Sequence, residues 1–402
     1  MKKVFKSISE SLFKELKSDE DVILSFSGEN SQFIRFNNAS VRQTGLVDDA
    51  YIELKFISNN RICGGGFTIS GNMEIDLARG KHEIERMRNE ANELPEDPFL
   101  VLPKNLGSSN VVKEASGLKF EDSIDAILPA MSGTDFVGIL ANGKMFRGNA
   151  NSKGQNHWFE TDTYSLDYSL VTSNHQMVKG SFSGSDWNQD EYESYVNRSK
   201  EKLSLMERKP IKIKTGDYRT WFESAAVSDF LGMFSWNGIS EASLRQGCSG
   251  FGKMRHNDAR LSPKFSVIED FSPGYCPKFN SDGEVAPDEL ALIEAGKLKN
   301  TLISSRSAKE YGLQSNYAEN GEFLRSPRMA IGNLNQNDVV KELDRGLFLS
   351  NIHYLNWSDN PGGRITGLTR YACFWVEGGE IVAPIETMRF DDSFYRFFGD
   401  QL

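Results

Sequence analysis

The chain has 402 residues, 39% hydrophobic and 25% charged, with 27 phenylalanines and a formal net charge of −10. That composition supplies a real core and excludes a disordered chain. An acidic chain without a basic run lacks the clustered Lys and Arg that hold phosphates, which excludes a nucleic-acid partner.

The N-terminal "MKKVFKSISESLFKELK" begins like the basic start of a signal peptide, but charges recur every few residues and no apolar stretch follows. No apolar run approaches the ~20 residues needed to span a bilayer, so no membrane partner is expected. The four cysteines, Cys63, Cys248, Cys276 and Cys373, are widely spread and read as reduced thiols, consistent with a cytoplasmic protein. Val4 to Lys17 predicts an amphipathic helix. After Asp21 the period becomes two, and "SQFIRFNN", "ASVRQTGLVDD", "AYIELKFISNN" and "RICGGGFTIS" predict four antiparallel strands with one buried face. Met73 to Leu94 predicts a helix, and the proline-rich "LPEDPFLVLPKN" a linker. "FVGILANGKMFRGN" predicts a hairpin about Asn142-Gly143, and "SLDYSLVTSNHQMVKGSFSG" a second strand pair. Asp186 is the expected cap of a helix from Asn188 to Arg208. Pro210 marks a boundary. "YRTWFESAAVSDFLGMFSW" predicts a helix that is apolar almost all round and therefore buried. A strand pair near Gly296, a short helix from Ser305 to Tyr311 and a terminal meander follow. Arg370 to Glu377 and Glu380 to Ile385 form its hairpin across Gly378-Gly379, and Pro361-Gly362-Gly363 is a turn feeding Arg364 to Thr366. The expected fold class is α+β: an N-terminal antiparallel sheet with flanking helices, and a C-terminal mostly antiparallel β domain around a buried helix. The expected regions are an N-terminal sheet domain (1–105), a middle region of hairpins and a helix (106–209) and a β-rich C-terminal domain (210–402).

The residues do not declare a catalytic set. The histidines are His82, His157, His175, His256 and His353, and no two lie within five residues, so neither a helical zinc pair nor a finger spacing exists. His82 of "KHEIER" reads as a solvated helix residue. A site assembled from distant residues such as His256, Cys248 and His353 stays open as an alternative. "GILANGKM" lacks the Ser or Thr that a phosphate-binding loop uses to hold Mg²⁺, and "CGGGF" and "GCSGFG" read as structural loops. Cys373 falls in an apolar strand and reads as a small buried hydrophobe.

"SPRMAIGN", "RGLFLSN", "GRITGLTRYACFWVEGGEIVAPI" and "MRFDDS" resemble the C-terminal domain of the TldD/PmbA proteins. "SQFIRFNNASVRQTG" resembles their N-terminal sheet domain, and "SAAVSDFLGMFSWNGISEASLRQGCSG" their central helix and following loop. The resemblance covers nearly the whole chain. It implies a cytoplasmic two-subunit metalloprotease acting on unfolded peptides, associated with DNA gyrase poisons indirectly through peptide processing. A TldD-like subunit carries zinc on an HExxxH helix with a cysteine from the C-terminal sheet. The PmbA or TldE-like subunit has the same fold without those ligands. Here the helix reads "AVSDFLGM", and the position of the cysteine falls near Ile352. The chain thus resembles the metal-free subunit: no catalytic or metal-binding residues of its own, no cofactor, zinc in the partner. Its expected partners are an HExxxH-bearing chain in a heterodimer and an unfolded peptide. The terminal meander is then the wall of a peptide cavity, with His353, Tyr354 and Trp357 offering contact area and Arg364 and Arg370 charge for a peptide carboxylate. A free-standing peptidase and a homo-oligomeric peptide-binding protein are the alternatives.

Overall fold

The computed structural model describes residues 1–400 and 402. The first half runs α1 (Lys2–Phe13), β1 (Glu20–Asn37), β2 (Ser40–Ser58), β3 (Arg61–Thr68), α2 (Met73–Ala91), β4 (Ser108–Lys113), α3 (Ser123–Met131), β5 (Asp135–Asn151), β6 (Asn156–Val171), β7 (Met177–Gly184) and α4 (Gln189–Met206). Its strands form one seven-stranded sheet in the order β3-β2-β1-β5-β6-β4, with β7 also on β6. All neighbours are antiparallel except β4 and β6. Strands on both sides of residue 105 therefore share one sheet, through the pairing of β1 with β5 from Ile23↔Asn151 to Phe36↔Gly138. Helices α1 and α2 cover one end, where Phe5, Phe26 and Trp158 pack together, with ring centroids 5.2 Å (Phe5–Phe26) and 5.4 Å (Phe26–Trp158) apart. Helices α3 and α4 cover the other end over Phe136, Leu140 and Tyr168, and that core continues into Phe348, Phe374 and Val376 of the C-terminal strands.

Three sequence expectations are corrected here. The second and third expected strands are one strand, β2: its pairing with β1 runs unbroken through Asn30↔Asp48, Glu29↔Asp49 and Gly28↔Ala50, so the ladder overrides the local turn preference of the aspartates. Asn142-Gly143 is no turn and lies inside β5. Asn142 is buried, donates to Leu118 O (2.7 Å) and accepts from Gln32 (3.0 Å), and a Cβ on Gly143 (φ 145°) would lie 2.4 Å from the Asn30 carbonyl oxygen. The glycine is there for close strand approach. The cap of α4 is Asn188, whose side chain accepts from the Glu191 N–H (3.1 Å); Asp186 instead accepts from the Ser116 N–H and hydroxyl (both 2.8 Å).

The second half runs β8 (Thr220–Phe222), α5 (Ser224–Phe234), α6 (Glu241–Arg245), α7 (Gly252–Arg255), β9 (Val267–Asp270), β10 (Glu289–Glu294), β11 (Lys297–Leu298), α8 (Ser305–Tyr311), β12 (Pro327–Met329), α9 (Val339–Leu343), β13 (Gly346–Asp359), β14 (Arg364–Glu377), β15 (Glu380–Pro384), β16 (Arg389–Ser393) and α10 (Phe394–Phe397). One sheet has four short strands, β11-β10-β9-β12. The other has five, β15-β14-β13-β8 with β16 on β14. Gly378 and Gly379, at φ 64° and 74°, close the expected hairpin between β14 and β15. Helix α5 packs on β13, and its Ala226, Phe230, Met233 and Phe234 enter a core with Phe251, Phe265, Ile352 and Phe394. Burying each large apolar side chain contributes roughly 1.5–3 kcal/mol.

Besides that shared apolar core, the halves meet at a polar seam. Ser281 O accepts from Ser25 Oγ and Asn149 Nδ2 (2.8 Å each), Asp282 pairs with Lys55 (2.5 Å), and the buried His157 ring stacks on Phe279 at 5.2 Å.

Candidate functional site

Helix α5 is not buried all round, which corrects the sequence expectation. Its apolar stripe is in the core, but Ser224, Ala225, Ser228, Asp229 and Gly232 are exposed. A Cβ on Gly232 would meet nothing within 4 Å. The helix is amphipathic with a face of small residues, and small residues passed for apolar ones in the sequence pattern.

Strands β13 and β14 lie beside that face, and their pairing slips twice where it matters. Asn351 faces Arg370 while Leu349 faces Cys373, so Tyr371 and Ala372 together oppose Ser350. His353 faces Leu368 while Asn356 faces Thr366, so Tyr354 and Leu355 together oppose Gly367. Each slip is a bulge, and bulges re-aim side chains. Tyr354 and Tyr371 sit at the bulges with φ 51° and 64°, conformations that cost a non-glycine residue about 1 kcal/mol or more.

The structure brings together some of the expected site residues and not others. The His353 ring lies against Tyr354, centroids 4.2 Å apart, and Tyr354 is 75% exposed. Arg370 is exposed and stacks over Tyr371 at 5.1 Å. Beside it opens a cavity of about 250 Å³ lined by Thr369, Tyr371, Cys373, Glu386 and, from the loop between β6 and β7, Gln176. Trp357 is buried: its ring packs against Gly250, Phe251 and Phe394, so it supports the strand from within. Arg364 is paired with Asp391. His82 is exposed on α2, as its surroundings in the sequence suggest. Burial pushes the Cys373 thiol up to about 11, which leaves it protonated and inert near neutrality.

Sequence reasoning missed the partners of Asp229. In the sequence, Arg245 and Arg255 are candidate partners for a buried Asp229, but both are bonded to the buried Glu241, which also accepts from Thr301 Oγ1 (2.6 Å). Asp229 lies instead by the Ile352 N–H, with Lys179 of β7 and His353 nearby. Although the residue is exposed, the protein packed around its carboxyl raises its pKa, and those three groups oppose the shift. The only signal in the sequence was a carboxylate set in an otherwise apolar helix.

The open face of α5 therefore offers two hydroxyls, a glycine and one engaged carboxylate beside one imidazole. Structural and catalytic zinc sites use three or four N, S or O ligands from the protein, and these residues do not fit one. Among the described residues no three His, Cys, Asp or Glu side chains group to hold a metal ion, so Cys248, His256 and His353 do not assemble into such a site. What the arrangement can do is bind: strand backbone with shifted register, the exposed Tyr354 ring with the half-buried His353 beside it, and a guanidinium without a carboxylate partner among the described residues.

Residues 215–401 match the family of the PmbA/TldA metallopeptidase C-terminal domain. No curated protein matches the chain by sequence. Solved structures share its fold along nearly the whole length, among them the following three. A candidate modulator of a DNA gyrase from Thermotoga maritima is 16% identical, with 98% of this chain and 93% of that chain covered at a TM-score of 0.77. TldE from Thermococcus kodakarensis is 14% identical, with 98% and 92% covered at 0.75. A candidate modulator of DNA gyrase from Bacteroides thetaiotaomicron is 16% identical, with 99% and 92% covered at 0.78. The chain thus carries, over its C-terminal half, the PmbA/TldD metallopeptidase family's C-terminal domain, within a whole-chain fold that it shares with TldE.

Proposed function

We propose that this chain is the metal-free subunit of a TldD/TldE-type zinc metalloprotease complex, working in the cytoplasm and helping to bind unfolded peptide for hydrolysis. The open face of α5 carries the reading: the helix on which the resemblance places zinc ligands turns Ser224, Ser228 and Gly232 to solvent. On this reading zinc and hydrolysis belong to an HExxxH-bearing partner, and this chain contributes surface. The peptide runs along the β13–β14 side, with His353 and Tyr354 as contact area and Arg370 as the charge that meets a carboxylate. Trp357 and Arg364 act only indirectly, as a prop from the core and as one half of an ion pair.

Elemental analysis and co-expression test the proposal. The chain alone should hold no stoichiometric zinc and cleave no unfolded peptide. Co-expressed with a TldD-like chain, it should co-elute on size exclusion and be required for turnover. One zinc per chain, removed by chelator together with activity, would favour the free-standing peptidase. Self-association with peptide binding and no hydrolytic partner would favour the homo-oligomer.

A further inference from the structure

A second concavity lies away from α5, at the seam between the halves. It has a volume of about 400 Å³, within the range of small-molecule sites, and none of the groups discussed above for peptide binding lines it. Its apolar side is built from Ile57 of β2, Ile62 of β3 and Leu100, which with Ile23 form a small core of their own, extended by Leu102 and Leu106. Its polar side draws on both halves, with Lys55, Asp97 and Gln155 from the first and Asp282, Glu284 and Arg306 from the second, and Glu284 is the group that stands out there. The side chain is 8% exposed, and its donors are both neutral, Ser305 Oγ and Asn280 Nδ2 (3.0 Å).

Four of the five other charged groups around the cavity are paired with one another. Lys55 pairs with Asp282 and Arg306 with Asp97. Lys104 is exposed. What faces the interior is thus an apolar wall opposite a carboxylate without a bonded cation. We propose that this cavity binds a small molecule, or a chain terminus, that presents a protonated amine on an apolar body. The amine would sit against Glu284 and the hydrocarbon against Ile57, Ile62 and Leu100.

Two physical arguments support that chemistry. A buried carboxylate is costly unless paired, and burial, with Asp282 nearby, already raises the pKa of Glu284 against the opposing pull of Ser305, Asn280 and Lys55; a bound ammonium would favour the charged form. A carboxylate ligand would add a like charge, and a neutral polar ligand would leave the cost in place. The size of the cavity suits a free amine, and its opening leaves the peptide N-terminus as the other source of the same chemistry.

Isothermal titration of the full chain with isoamylamine, isoamyl alcohol and isovalerate tests the inference. The amine should bind one per chain with a Kd of about 1 mM or tighter. The alcohol should bind roughly tenfold or more weakly, and isovalerate not measurably. Glu284→Gln should weaken the amine by roughly tenfold and leave the alcohol unchanged. Ile62→Trp, on the edge strand β3, should abolish both by filling the apolar side. It decides the matter if Glu284→Gln does not fold. Leucyl-glycyl-glycine separates the sources: binding equal to the amine assigns a peptide N-terminus, and weaker binding a free amine. The inference is overturned if the amine shows no saturable binding at about 10 mM, if alcohol and amine bind equally, or if folded Glu284→Gln or Ile62→Trp keeps full amine affinity.

Discussion

The two sheet systems satisfy their backbones by different means. In the first half β1, β2, β5 and β6 are 16 to 19 residues long and pair with one another for most of that length. In the second half the four-stranded sheet has strands of two to six residues, and loops carry much of the chain. There, buried carboxylates take over the work of the ladder. Glu322 accepts from Ser240 Oγ (2.6 Å), Ala242 N–H (2.9 Å) and Ser304 N–H (2.9 Å), so one side chain tethers the starts of both α6 and α8. Glu269 receives the N–H groups of Arg325 (3.0 Å) and Ser326 (3.1 Å). A ladder spreads its stability over many residues; a tether concentrates it in one.

The hardest test of the second half is its aromatic core. Phe230→Ala should destabilise by about 3–5 kcal/mol in urea unfolding, because Phe222, Phe397 and Phe398 surround that ring and cannot all collapse into the space. Glu322→Ala should cost about 2–4 kcal/mol, since it leaves three donors unsatisfied at once. A cost below about 1 kcal/mol would break the contrast between ladder and tether. The seam gives a smaller, pH-dependent effect. Burial holds the His157 pKa below its ordinary value, so the unfolded chain takes up the proton first. Its contribution is present above the unfolded pKa, about 6.5, and is lost as pH falls through the folded pKa. Thermal unfolding at about pH 7.5 and 5.5 should therefore show a steeper loss in the wild type than in His157→Gln, on the order of 1 kcal/mol. An equal loss in both would remove His157 from the seam's energetics. The smallest effect belongs to the open face of α5. Ser228 only returns its hydroxyl to Ser224 O (2.8 Å), so Ser228→Ala should change stability by less than about 0.5 kcal/mol and leave the assembled complex active. Asp229→Asn should likewise keep turnover. A loss beyond about a hundredfold at unchanged stability would instead make this helix part of the chemistry.

The same contrast explains what the sequence disclosed. Alternation along β1 and β2 announces the first sheet, because a long strand with one buried face writes its period into the residues. The Gly378-Gly379 hairpin and the helix from Ser305 were equally legible from local turn and capping chemistry. Asn142-Gly143 misled because its reason is a neighbouring strand's backbone, invisible at short range. At the site, Tyr354 and Tyr371 earn their positions from register slips, and nothing local distinguishes a bulged tyrosine from a regular one. Trp357 looked like a contact because aromatic residues suit both walls and cores. The partners of Asp229 lie on β7 and β13, some fifty residues before it and over a hundred after it in the chain.

The seam also sets an order of events during synthesis. Ser25 meets Ser281 across 256 residues, and Asn149 meets the same carbonyl across 132. A ribosome adding 5–20 residues per second takes roughly ten seconds to a minute to deliver that loop after β1 has emerged. For that interval the face of the nascent sheet around Ser25, Lys55 and Asn149 stands uncovered, with His157 beside it once β6 has been made. It is the period in which a growing chain is open to mispairing with its neighbours and to capture by chaperones.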